Sequence, residues 1–410
     1  MQDPANAAAQ EIDSTYSWAR LCISVVVGTV GSVGLWAIVV VLPAVQAEFG
    51  ADRADTALAF TLTMVGFAAG NVFFGRVVDR LGMAIPLNIA ALSLGLGFIG
   101  TALSDSIVAF ALLHFLIGLG SAATFGPLIA DLSHWFDKHR GVAVAAAATG
   151  NYLAGAIWPL LMQPFLAAQG WRFTFVAIAI ICMAIMIPLS LLFRRQVQGH
   201  GTDAAFSATR QLRVSGLSPR GLQMLLAVAG LGCCVAMSMP QVHIVAYCTD
   251  LGYGPARGAE MLSLMLAGGI VSRLGSGFLA DRIGGVYTLL IGSVLQCVAL
   301  FLYLPFDGLA SLYVVSLVFG LAQGGIVPCY AIIVREYLPA HEAGQRVGVV
   351  IMSTIAGMAI GGWMSGWIYD LTGSYQAAFL NGIAWNLLNI GIMVLILTRT
   401  RTPRPAVSPA

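Results

Sequence analysis

Charged side chains are scarce: Asp, Glu, Lys and Arg together make up 9% of the 410 residues. A soluble domain carries about 25%, so an ordinary water-soluble enzyme is excluded. The 59% of hydrophobic residues excludes disorder, which needs low hydrophobicity and high charge. The net charge of +2 offers no basic face for nucleic acid. Cysteines number 7 and all fall inside apolar runs without metal-ligand spacing, so they read as free thiols packed within helices. No Ser/His/Asp set, no His-x-x-x-His or Cys-x-x-Cys spacing and no phosphate-binding glycine loop ending in Lys-Ser/Thr occurs. Neither an enzyme nor a cofactor or metal is expected, and any transport would run on ion or solute gradients. The first residues hold Asp3, Glu11 and Asp13 with no basic region, which reads as a polar tail and not a signal peptide.

What the chain has is apolar runs long enough to span a bilayer, repeated along its whole length. Twelve spans are expected. The first six run over Ala19–Ala47, Thr56–Val78, Ala84–Leu103, Ile107–Trp135, Gly141–Ala168 and Phe173–Phe193. The second six run over Leu222–Thr249, Ala256–Ala280, Val286–Phe306, Ala310–Val334, Gly344–Tyr369 and Gln376–Thr398. Residues 1–18 form a tail, 19–193 one six-helix bundle, 194–220 a polar linker, 221–398 a second bundle and 399–410 a second tail. Of the 20 Lys and Arg residues, all but Arg53, Arg172, Arg257 and Arg273 fall on the side of the tails and linker. That bias makes this side cytoplasmic, with both termini inside. Short tails and no targeting segment suit a bacterial inner membrane.

The halves repeat. Gly75, Asp79, Arg80 and Gly82 after the second span recur, 202 residues on, as Gly277, Asp281, Arg282 and Gly284 after the eighth. Gly118, Leu119 and Pro127 of the fourth span are echoed by Gly320, Leu321 and Pro328 of the tenth. Two tandem six-helix halves of like topology imply a substrate path between them near the midplane.

The repeated Gly-x-x-x-Asp-Arg-x-Gly element resembles the signature of the major facilitator superfamily. The implied fold is all-α, with twelve transmembrane helices in two six-helix pseudo-symmetric halves. A narrower resemblance is to the monocarboxylate transporter family. It rests on Gly118-Leu119-Gly120, Pro127 and Trp135-Phe136-Asp137-Lys138 with Arg140, on Gly170-Trp171-Arg172, on Pro240 with His243 and Tyr247, and on Arg273 followed by Gly277. In that family an arginine at the place of Arg273 binds the substrate carboxylate. The acid that some animal relatives carry four positions earlier is Gly269 in this chain, and their Asp-Gly-Gly and first-helix lysine are missing.

Arg273 stands out without the family. Eight residues before Asp281, it lies about 12 Å deep at 1.5 Å per residue. A charge at the centre of a spanning helix costs about 2.5–3.5 kcal/mol on insertion scales. None of the 18 acidic residues is expected at that depth, so a substrate carboxylate is the natural partner, matched by the guanidinium fork. The other reading is a structural arginine bonded to backbone carbonyls.

His243 and His114 are candidates to carry a proton, each weighed against a packing role. Tyr247, Asn151, Tyr152, Gln323, Tyr330 and Asn386 are polar groups in apolar helices, suited to interhelical hydrogen bonds or substrate contact. Asp79, Arg80, Asp131, Arg140, Asp281, Arg282 and Glu336, with the motif glycines, would form a latch at the cytoplasmic helix ends or merely set topology. The expected function is proton-coupled symport of a small organic acid anion by a monomer in the lipid bilayer. The alternatives are carboxylate exchange of an oxalate/formate kind, efflux of amphipathic compounds, or a carboxylate-binding membrane sensor.

Overall fold

In the computed structural model the described residues are 12–195, 213–214, 216–338 and 342–401. Most of both tails and of the linker, with Arg210, lies outside them, as do the side chains of Asp79 and Arg140. The helices are α1 Thr15–Gly31, α2 Val33–Phe49, α3 Arg53–Leu81, α4 Ala84–Ala102, α5 Ile107–Ala122, α6 Gly126–Ser133 and α7 Arg140–Ser190. The second half holds α8 Pro219–Asp250, α9 Pro255–Ile283, α10 Gly285–Leu302, α11 Leu309–Gln323, α12 Ile326–Tyr337, α13 Ala343–Thr372 and α14 Tyr375–Arg399.

Eleven apolar stretches among the described residues are long enough to cross a bilayer, and one of them, Gly141–Phe193, has 53 residues. A straight helix of that length would run to about 80 Å, far more than the apolar thickness of about 30 Å. It divides at Gly170, where φ 78° and ψ 177° leave the helical region. Only glycine adopts that backbone readily. The stretch therefore makes two crossings, as Gly170-Trp171-Arg172 leads one to expect, and the crossings among the described residues number twelve.

Three crossings expected to be continuous are broken in the middle. The first breaks at Ser32, the fourth between Ala122 and Gly126, and the tenth between Gln323 and Ile326. In the fourth and tenth the cause is Pro127 and Pro328, which lack the N–H that would bind the carbonyl four residues back. The two breaks fall at corresponding places in the repeat.

Helices in lipid associate through close packing, so small residues sit where backbones touch. A Cβ on Gly118 would lie 2.0 Å from the Thr63 carbonyl oxygen, which brings α5 against α3. The repeat reproduces this contact: a Cβ on Gly320 would lie 2.0 Å from the Met265 carbonyl oxygen, where α11 meets α9. The same 202-residue offset thus relates both the sequence motif and two of the closest approaches to a neighbouring helix backbone. A two-residue antiparallel pair, Arg213–Val214 against Thr400–Arg401, sets the end of the linker beside the end of α14. This side is the linker end of the bundle; the opposite side is the far end.

Gly118→Val and Gly320→Val should each destabilise the fold by about 3 kcal/mol or more, since backbone cannot yield as a side chain does. Gly75→Ala, where a Cβ meets nothing within 4 Å, should change nothing. Thermal unfolding of the purified protein checks all three.

Candidate functional site

The break in the tenth crossing supplies an acceptor for a half-buried arginine. Pro328 cannot donate to Gly324, so the Gly324 carbonyl is free, and Arg273 Nε on α9 donates to it at 3.3 Å. Arg273 Nη1 donates to the Ala148 carbonyl of α7 at 3.1 Å, in the other half of the molecule. The guanidinium carbon stands 4.4 Å over the Tyr152 ring, a cation–π contact. That ring occupies the space beside Gly269, whose Cβ would lie 2.4 Å from Tyr152 Cε1. The position where some relatives of the resembled family carry an acid is therefore filled by an aromatic face. Among the described residues no carboxylate pairs with Arg273.

Two other expected polar residues border this site. Asn151, beside Tyr152, accepts from Trp36 Nε1 through Oδ1 at 2.9 Å. Gln323, beside Gly324, accepts from Gln241 Nε2 at 2.6 Å and is fully buried, its own amide nitrogen without a partner. Tyr330 and Asn386 lie in the second half's interior lattice. Tyr330 donates to Asn389 Oδ1 at 2.8 Å, and Asn386 Nδ2 donates to the Ser293 carbonyl at 2.8 Å. His114 is buried against Phe110 and Phe175, with Nδ1 on the Phe110 carbonyl at 2.8 Å and Nε2 unpartnered.

His243 and Tyr247 belong to a second constellation, at the far end, built around a residue that lies between the first two expected spans. Arg53 opens α3 and is 6% exposed. Its Nη1 donates to the Tyr375 hydroxyl at 2.6 Å and its Nη2 to Asp250 Oδ1 at 3.1 Å. The Asp370 carboxylate accepts from the backbone N–H groups of Arg53 and Ala54 at 2.9 and 2.7 Å, an anion at the positive end of α3. Asp250, Asp370 and Tyr375 all belong to the second half, so each bond joins the halves. His243 Nδ1 lies 3.1 Å from the Tyr375 hydroxyl and its Nε2 2.7 Å from the Gly362 carbonyl. Tyr247 packs edge-on against Tyr375 and Phe379. One further bond between halves, Thr61 Oγ1 to the Ala359 carbonyl at 2.8 Å, lies two turns inward from Arg53 on α3.

At the linker end, Gly82 and Gly284 close α3 and α9 with φ of 71° and 85°, so the final glycine of each repeated motif is a helix stop. Glu336 accepts from the Gly285 backbone N–H at 3.0 Å. Arg80, Asp281 and Arg282 are exposed, and a Cβ on Gly277, like one on Gly75, meets nothing. Asp131 is bound by Arg20, Nη2 to Oδ2 at 2.8 Å, within the first half. Arg20 is 2% exposed and sandwiched at 4.5 Å from both the Trp135 and Phe193 rings. Arg20, Arg53, Asp250, Asp370 and Tyr375 were not singled out from sequence. Their partners lie up to 322 residues away, and nothing local marks them.

The chain matches the Major Facilitator Superfamily over residues 25–304 and 258–410. It is 28% identical over 316 residues to monocarboxylate transporter 13 of Bos taurus, covering 75% of this chain and 71% of that protein. An MFS-type transporter, pynF, of Aspergillus niger is 25% identical over 293 residues, covering 69% of this chain and 64% of that one. Among solved structures, the inward-facing, unoccupied form of a bacterial homologue of the human lysosomal transporter Spinster superposes with a TM-score of 0.74. It is 13% identical and covers 96% of this chain and 100% of that one.

Replacing Arg20 by Met should leave Asp131 buried without its partner and cost about 3 kcal/mol or more. Adding Asp131→Asn to that variant should recover part of the loss. Thermal unfolding of the two variants beside the parent gives the comparison.

Proposed function

The chain belongs to the major facilitator superfamily, and from that premise we propose that it is a secondary transporter of small organic carboxylates, coupled to protons, working by alternating access. The observation that carries the reading is Arg273. Its charge sits at mid-depth between the halves, held by two backbone carbonyls and an aromatic face, all neutral. Two of the five guanidinium donors are engaged, and the rest are free to take a carboxylate in bidentate geometry. The relatives named as monocarboxylate transporters support the same substrate class.

The geometry also supports a coupling step. Nη1 of Arg273 bonds to Ala148 in the first half while Nε holds Gly324 in the second. A carboxylate that draws Nη1 away from Ala148 would remove a mid-depth bond between the halves. Binding then favours their relative motion, as a ligand must if it is to shift a conformational equilibrium. The Lys and Arg bias favours the linker end as the cytoplasmic side of a bacterial inner membrane. Each chain would enclose its own path and act as a monomer. Exchange of one carboxylate for another is the second reading, favoured by Tyr152 standing where a titratable acid would sit beside Arg273.

Internal pH of proteoliposomes is the test, with a panel of carboxylates added outside to wild type and to Arg273→Gln. Acidification by particular acids, reduced about tenfold or more in the variant, is the expected result. Uptake of labelled acid only into vesicles preloaded with another acid would replace symport by exchange. Neither activity in the wild type would overturn the carboxylate reading.

A further inference from the structure

The hydrogen bonds at the far end run in one direction. A carbonyl can only accept, so His243 Nε2 donates to Gly362, and in the neutral ring Nδ1 is then an acceptor. The Tyr375 hydroxyl donates to that Nδ1, and its oxygen accepts from Arg53 Nη1. Arg53, Tyr375, His243 and Gly362 thus form one relay, satisfied while His243 is neutral. His243 and Tyr375 belong to the second half and Arg53 to the first. We propose that this relay is the coupling-proton site, and that a proton on His243 releases the far-end closure.

The step balances simply. A proton from far-side water binds Nδ1, turning the imidazole into imidazolium, with no other bond made or broken. Nδ1–H and Arg53 Nη1–H then both point at one phenol oxygen, whose own hydrogen has lost its acceptor. A second cation also stands beside the guanidinium. The conflict is relieved by giving up the Arg53 bond, because His243 and Tyr375 move together within one half while Arg53 belongs to the other.

The surrounding groups do not cancel this effect. On the same helix, Asp250 is turned to Arg53, and Tyr247 packs on the Tyr375 ring. On α13, Asp370 is committed to backbone N–H groups of α3, and Tyr369 lies under the Arg53 guanidinium. On α9, Arg257 and Glu260 pair with each other, and Glu260 also bonds Tyr313 of α11. On α2, Glu48 is held by Arg172 and Trp171. Access exists: a cavity of about 350 Å³ between the halves is walled by Pro43, Gln46, Arg53, Ala246, Thr249 and Asp250. It brings far-side water to Arg53 and Asp250.

The inference rests on the proton coupling proposed above and names its site. The test needs no substrate, so the two can fail separately. Ala57 is wholly buried one turn inward from Arg53, on the stripe of α3 that carries Arg53 and Thr61. In the full-length purified protein, Ala57→Cys is labelled with a maleimide, beside Asp105→Cys at an exposed far-end loop. Peptide mass spectrometry reads each site, and their ratio cancels the titration of the thiol itself. The ratio should rise about fivefold or more from about pH 7.5 to about pH 5.5 with His243 present. With His243→Gln, whose amide can accept from Tyr375 and donate to Gly362 but take up no proton, it should stay low at both.

Tyr375→Phe, lacking only the hydroxyl that joins His243 to Arg53, should raise the ratio at neutral pH and flatten its pH response. A wild type without a pH response, or a response that survives His243→Gln or Tyr375→Phe, overturns the proposal. If labelling follows this pattern while no carboxylate acidifies the vesicles, the proton gate stands and symport falls.

Discussion

A guanidinium halfway through an apolar helix must be surrounded by acceptors, and the middle of this protein is arranged to meet that requirement for Arg273. Pro328 deprives the Gly324 carbonyl of its helical donor and so makes an acceptor where an intact helix has none to spare. Gly324 and Gly269 lie so close that a Cβ on Gly324 would be 2.1 Å from the Gly269 carbonyl oxygen, which draws the broken strand of helix up to α9. The bare flank of Gly269 in turn admits the Tyr152 ring beneath the charge. Proline, glycine and aromatic at these places answer one electrostatic demand. None of the groups that meet it is charged, which leaves the positive charge available to an anion.

The halves are tied at two levels of different strength. At mid-depth the ties are hydrogen bonds to neutral carbonyls, each worth about 1 kcal/mol net, or somewhat more where the donor is charged. At the far end a nearly buried arginine meets a carboxylate, a phenol and two aromatic faces, while a second carboxylate caps its helix. Leaving such a charge without its partner costs about 3–5 kcal/mol. The more exposed Arg172–Glu48 pair lies within the first half, and an exposed pair contributes about 0–1 kcal/mol. Contact between the halves at the far end therefore depends chiefly on Arg53.

Much of this architecture was legible in the sequence, because it is written in local or periodic signals. Scarce charge and repeated apolar runs gave the membrane class, and the 202-residue repeat gave the two halves. Gly170 announced the reversal between the fifth and sixth crossings, and Arg273 announced itself by depth. What stayed hidden depends on contacts between distant segments. Arg53 looks like any charge at a helix end until folding brings Asp250 and Tyr375 to it across 197 and 322 residues. Arg20 likewise looks like topology-setting charge, yet from between two aromatic rings it binds Asp131. The polar residues were visible as a class, but their assignments were not. Asn386 and Tyr330 stitch the second half together, whereas Tyr152 and Asn151 sit at or beside Arg273. Pro127 and Pro328 are visible in the sequence as corresponding places of the repeat; that they break their helices, and that Pro328 frees a carbonyl for Arg273, follows only from the packed structure.

In the proposed function Arg273 meets the carboxylate itself. Equilibrium binding of a labelled carboxylate to the purified protein, wild type against Arg273→Lys, tests it most directly. Lysine keeps the charge but lacks the planar fork, so affinity should weaken about tenfold or more with the fold intact. Equal affinity in the two proteins would contradict it, and would leave Arg273 as a brace between helices.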